Sequence, residues 1–147
     1  MNDLIFTTEG SNKGIKAAEI VSAIVSLVVG FFSGCMFFVM REMTKSGGVF
    51  ILLVIAIVAM IFGFIELGRT TSHSRTYVRV YSDRLEGVGI QGSSVASFNV
   101  TYSQVNSISS EKDFLHIYTN VGSYKIITKS NLANEIVNYY NTSIRSN

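Results

Sequence analysis

The pattern of hydrophobic and polar positions changes character twice along the chain. Residues 20–40 (IVSAIVSLVVGFFSGCMFFVM) and residues 49–65 (VFILLVIAIVAMIFGFI) carry no charge, and the second run reaches Leu67 by including Glu66. A helix needs roughly 20 apolar residues to cross the hydrocarbon core of a bilayer, with about 17 at the lower limit. Neither run leaves a polar face for water, which excludes amphipathic helices of a small soluble domain. The pattern predicts a transmembrane helical hairpin over 15–68, with spans at about 20–40 and 49–67. The mixed-sign flank (Glu9, Lys13, Lys16, Glu19) and the second run close behind disfavour a cleaved signal peptide.

Beyond Gly68 the runs become short and polar. Residues 69–75 (RTTSHSR) read as a linker, and from Thr76 apolar residues alternate with polar ones, the period of half-buried strands. Strands are predicted at 76–81, with Val78 and Val80 inward, and at 84–90, with Leu85, Val88 and Ile90. Others follow at 96–102 (Ala96, Phe98, Val100 and Tyr102 on one face), 105–110, 114–119 and 123–128. The period then turns helical: Ser130 or Asn131 caps a helix over about 131–141, whose stripe is Leu132, Ile136, Val137 and Tyr140. The expectation is about six antiparallel strands closed by one helix, a domain spanning 76–145. Residues 1–14 read as a frayed polar tail, with Leu4, Ile5 and Phe6 dipping into the membrane interface as the alternative.

The order of strands and then a C-terminal helix, with the text FNVTYSQVNSI, a turn, FLHIYTNVGSYKII and then NLANEIVNYY, resembles the pleckstrin-homology-like (PH-like) superfold. It also resembles bacterial membrane proteins in which one or two spans precede a short cytoplasmic PH-like domain. The fold class expected is therefore an α+β membrane protein, a two-helix transmembrane hairpin followed by a small antiparallel PH-like β domain with a C-terminal helix. The resemblance implies binding or assembly at a cell membrane; it rests on apolar positions and carries no catalytic signature.

Small residues mark one face of each span. Ser22, Ser26, Gly30 and Gly34 recur every four residues, and Ala56, Ala59 and Gly63 form a second stripe. Small side chains let helix backbones approach, so these stripes either close the hairpin on itself or also mediate self-association. The loop 41–48 is short enough to make the spans antiparallel neighbours. Lys13, Lys16, Arg69, Arg75, Arg79 and Arg84 on the terminal side outnumber Arg41 and Lys45 in the loop, which places both termini in the cytoplasm.

Charge and candidate chemistry narrow the function. A net charge of +2 disfavours a nucleic-acid surface, and the single cysteine, Cys35, leaves no intramolecular disulfide. Gly87, Gly89 and Gly92 spell GxGxxG, but a strand follows where a dinucleotide fingerprint needs a helix, so a hairpin loop or bulge is the better reading. His73 and His116 are the only histidines and read as surface residues with no metal-ligand spacing around them. Neither catalytic residues nor a metal or cofactor site is expected. One surface stands out: Arg75, Tyr77, Arg79 and Tyr81 alternate onto one face of the first predicted strand, and Arg84 follows the turn. Basic residues that close to an anionic leaflet each gain about 1 kcal/mol, screened by salt. The alternative is an ordinary solvated strand face. The expected function is a non-enzymatic, membrane-anchored interaction module that engages a protein partner or its own copies, with anionic headgroups as a contributing contact. The alternative is a homo-oligomeric scaffold or a subunit of a larger membrane complex.

Overall fold

A computed structural model describes residues 3–11, 13–44 and 47–144. Two units compose the chain: a helical unit, 15–71, and an α+β unit built from 1–14 together with 72–147. In element order these are β1 (Leu4–Thr7), α1 (Lys13–Thr44), α2 (Phe50–His73), β2 (Tyr77–Tyr81), β3 (Arg84–Gln91), β4 (Ser94–Thr101), β5 (Val105–Glu111), β6 (Phe114–Thr119), β7 (Gly122–Ile127) and α3 (Ser130–Tyr139). The architecture is α+β: an apolar helical hairpin, a curled antiparallel sheet and a C-terminal helix.

Both α1 and α2 are long and apolar enough to cross a membrane. They run past the expected spans, because Arg41 to Thr44 stay helical at the end of α1 and Arg69 to His73 at the end of α2. The expected linker 69–75 is therefore helix as far as His73, and Thr70 and Thr71 hydroxyls donate to the carbonyls of Glu66 and Leu67 within it. Lys45, counted in the charge balance of the loop, lies outside the described residues.

The helices meet along a seven-residue repeat: Ala23, Gly30 and Phe37 are buried on α1, and Ala56, Gly63 and Thr70 on α2. This is the spacing of a left-handed coiled seam. Gly30 sits so close to α2 that a Cβ there would lie 2.8 Å from Met60 Cγ and 3.1 Å from the Ala56 carbonyl oxygen; at Gly63 it would lie 2.7 Å from Leu27 Cγ. The expected four-residue stripe drifts off this seam, since each step of four advances about 40° around a helix. Ser22 is exposed, and Ser26, Gly34 and Ala59 are only half-buried.

In the α+β unit, β1 to β4 form an antiparallel meander and β5 to β7 a second one. The two join where Ile90 of β3 pairs with Lys125 of β7. The core comprises Val78, Val80, Leu85, Phe98, Val100, Leu115, Ile117, Tyr124, Ile126 and their neighbours, and α3 adds Ala133, Ile136 and Tyr140. Burying each large apolar side chain contributes about 1.5–3 kcal/mol. In β3 the inward series is Leu85, Gly87 and Gly89, while Val88 and Ile90 take the other face. Both glycines lie inside the regular strand rather than in a loop or bulge; only Gly92, at φ +60°, occupies the turn. They allow close approach: a Cβ on Gly87 would lie 2.2 Å from the Tyr77 carbonyl oxygen, and one on Gly89 2.9 Å from Tyr124 Cβ. At α3 the N-cap is Lys129, not Ser130 or Asn131, and no side chain caps the helix.

The described residues 3–11 do not form a frayed tail. Leu4–Thr7 pairs antiparallel with β2, and Thr8, 1% exposed, completes the join. Its amide donates to the Val78 carbonyl at 2.9 Å, and its hydroxyl accepts the Val78 amide at 2.8 Å. Phe6 packs against the core and meets the Tyr139 ring edge-on at 5.6 Å. Ser11 and Thr128 hydroxyls are bonded at 2.9 Å. The pairing was hidden because its partner lies across the entire hairpin in sequence.

Two outcomes test this packing. Gly30→Ala drives a methyl into backbone and lowers the thermal midpoint of the hairpin in detergent, whereas Gly34→Ala, whose Cβ would meet Ala56 Cβ at 3.8 Å, leaves it unchanged. Thr8→Val leaves the buried Val78 amide without its acceptor and costs about 1–3 kcal/mol of domain stability, read by denaturation and by faster hydrogen exchange at Val78.

Candidate interaction surface

Because Val78 and Val80 point into the core, the alternate residues of β2 point out. Tyr77, Arg79 and Tyr81 share this outer face and are half-buried. Arg75 does not join them: it lies exposed in the turn between α2 and β2. Arg84 opens β3 just after the hairpin turn. The guanidinium of Arg79 lies 5.2 Å from the centre of the Tyr77 ring, and that of Arg84 lies 4.8 Å from the Tyr81 ring. Stacking of this kind contributes about 0.5–1 kcal/mol at an exposed site.

Acidic residues converge on the same arginines. Arg79 Nη2 donates to Glu9 Oε2 at 3.0 Å, and its Nη1 lies 3.8 Å from Glu86 Oε1. Arg84 Nη1 donates to Asp83 Oδ2 at 3.3 Å. The hydrogen bond and then the charge of Glu9 raise the Arg79 pKa, and desolvation opposes them. Two arginines (Arg79, Arg84) therefore face three carboxylates (Glu9, Asp83, Glu86), and this face is charge-compensated. Two of these partners arrive through strand pairing: Glu86 lies opposite Arg79 on β3, and Glu9 follows β1. The opposition of Arg79 and Glu86 follows from the two-residue turn at 82–83, a signal present in the sequence. Glu9 had no such signal.

A second cluster lies on the outer face of β6 and β7. Lys125 Nζ sits 3.7 Å from the centre of the Phe114 ring, and His116 stacks on Tyr118 at 6.2 Å and 13°. His73 meets Phe114 edge-on at 6.4 Å. Both histidines are thus half-buried against aromatic rings. Burial lowers the His116 pKa first, Lys125 lowers it further, and Glu111 acts the other way. Among the described residues no group of three or more histidine, cysteine, aspartate or glutamate side chains is placed to hold a metal ion.

On the hairpin, an apolar groove of about 280 Å³ opens beside the seam, floored by Gly34 and Ala56 and walled by Cys35, Ile57 and Met60. Gly30 and Gly63 serve contact within the hairpin, and Gly34 borders this groove.

Compared with protein-family models, with curated proteins and with solved structures, the chain gives no match.

Tyr102 links the sheet to the turn at 82–83. Its hydroxyl donates to the Tyr81 carbonyl at 2.6 Å, and burial, then the charges of Tyr139 and Asp83, push its pKa well above the usual tyrosine range. Folding thus favours the neutral phenol. Its contribution is intact below about pH 10, the ordinary tyrosine value, and is lost as pH rises beyond it. Tyr102→Phe loses about 1 kcal/mol at neutral pH with the hydrogen bond, and the fall in melting temperature between pH 9 and 11 becomes shallower.

Proposed function

We propose that this chain is a membrane-anchored, non-catalytic interaction module whose α+β unit is a PH-like domain. Two antiparallel meanders, of four and three strands, closed by a C-terminal helix, match the design of that superfold and support the reading. The module works at the cytoplasmic face of a cell membrane, by analogy with the bacterial membrane proteins that the sequence resembles. The excess of lysine and arginine beside the hairpin ends supports that sidedness. The pairing of β1 with β2 requires both hairpin ends to emerge on one side of any bilayer it crosses.

Its partner is a protein surface or another copy of itself. The observation that carries this choice is the compensation of Arg79 by Glu9 and Glu86, and of Arg84 by Asp83. Paired guanidinium groups offer little net charge to anionic headgroups, while stacked Tyr–Arg pairs are the residue types that anchor protein interfaces. Arg75, exposed near the end of α2, is the one arginine of the set left to add a headgroup contact. A second reading, a homo-oligomeric scaffold or complex subunit assembled within the membrane, draws on the groove at Gly34.

Co-sedimentation with vesicles decides between protein and lipid recognition. The soluble form must keep β1, so residues 3–11 are joined by a short linker to 72–144. Binding to anionic vesicles no stronger than to neutral ones at physiological salt is the expected result. Binding to anionic vesicles alone, lost with salt and in Arg75→Ala/Arg79→Ala, would make headgroup recognition the primary activity.

A further inference from the structure

Sheet edges are templates for strand pairing, and natural proteins blunt them with bulges, charges, short length or a covering element. Two edges here are blunted. β1 is four residues long and its register shifts between Leu4 and Phe6. β5 carries a shift between Val105 and Ser107 and is covered by α3, with Ser110 bonded to Asn134 and the Tyr140 hydroxyl to the Val105 carbonyl. The edge of β4 has none of these devices. Ser94–Thr101 (SVASFNVT) is eight residues long with no charge and no proline, and it pairs with β3 in unbroken register from Arg84↔Thr101 to Gln91↔Ser94.

Hydrogen bonding shows which residues face out. The Thr101 amide donates to Gln104 Oε1, away from β3. Antiparallel pairs alternate between bonded and non-bonded, so Val95, Ser97 and Asn99 also turn their amides and carbonyls away from β3. The opposite side of the meander agrees, since Val78 of β2 gives its amide and carbonyl to Thr8. Among the described residues, the outward groups of Val95, Ser97 and Asn99 have no backbone partner.

We propose that a second copy of this chain docks on this edge, its β4 pairing antiparallel with the first through Val95, Ser97 and Asn99. The proposal deepens the reading of the domain as a module that binds its own copies, and rests on it. The occupant follows from self-complementarity. A two-fold pair centred on Ser97 sets Val95 opposite Asn99 and Ala96 opposite Phe98. With no charge on the strand, no like-charge contact opposes the pairing in any register. Ala96, Phe98 and Val100 belong to or pack against the core, so the pair continues the apolar inner face from one domain to the next. Hairpin anchoring holds all copies beside one membrane, and confinement of this kind raises their effective concentration.

The test uses the full chain in liposomes at fixed density, with donor and acceptor dyes at the C-terminus and energy transfer as the readout. Ser97→Lys places two ammonium groups face to face at the two-fold. Ser97→Pro removes an outward amide while sparing the β3 ladder. Ser109→Lys, on an exposed position of β5, and Gly34→Leu, in the hairpin groove, are the comparisons. Thermal unfolding confirms which variants remain folded, and Ser97→Lys carries the test if the proline variant does not. Transfer in the parent, lost in Ser97→Lys and kept in Ser109→Lys, supports the edge. Transfer that survives Ser97→Lys overturns it, and its loss in Gly34→Leu then leaves self-association standing through the hairpin. A parent with no transfer overturns both the edge and the self-binding reading.

Discussion

The strand before the apolar helical hairpin is bonded to the strand after it, and the rest of the α+β unit depends on that pairing. Thr8 and Val78 exchange two hydrogen bonds across 70 residues of sequence. Closing a flexible loop of that length is entropically costly. Here most of the intervening chain is helical, α1 and α2 forming a hairpin that brings its ends back together. The helical hairpin therefore shortens the effective loop that the pairing of β1 with β2 must close.

The same connection determines the electrostatics of β2. Arg79 lies within reach of Glu9 only because β1 runs beside β2. A strand that reads in isolation as basic and aromatic becomes a neutral surface of stacked rings and guanidinium groups. Individual exposed ion pairs contribute little stability; their effect is to lower the net charge that this face presents. What remains is planar side chains paired with carboxylates and stacked on tyrosine rings.

Steric limits act where charge does not. Gly30 and Gly63 set how closely the helices pack, and Gly87 and Gly89 set how closely β3 approaches β2 and β7. In each place the glycine replaces a side chain that would collide with a neighbouring backbone or side chain. In GVGIQG, with its nominal nucleotide-binding spacing, Gly87 and Gly89 thus admit β2 and β7, and Gly92 makes the turn to β4.

Hydrophobic periodicity, a property of the chain alone, determined most of the architecture. Uninterrupted apolar runs have no stable place in water, which identified α1 and α2; alternation at period two located β2 to β7 within a few residues; the return of helical period located α3. These are local signals, and local physics suffices for them. Tertiary structure decided what depended on partners distant in sequence. Leu4–Thr7 is too short to declare itself and becomes a strand only when β2 lies alongside. The stripe Ser22, Ser26, Gly30 and Gly34 has four-residue spacing, but the contact follows a seven-residue seam, because two packed helices select the positions that stay in register over several turns. Val88 and Ile90 look like the inward residues of β3, yet the close approach of β2 and β7 leaves room there only for Gly87 and Gly89. The compensation of Arg79 and the bare edge of β4 are properties of neighbours, one brought near and one lacking, and a linear chain does not name its neighbours.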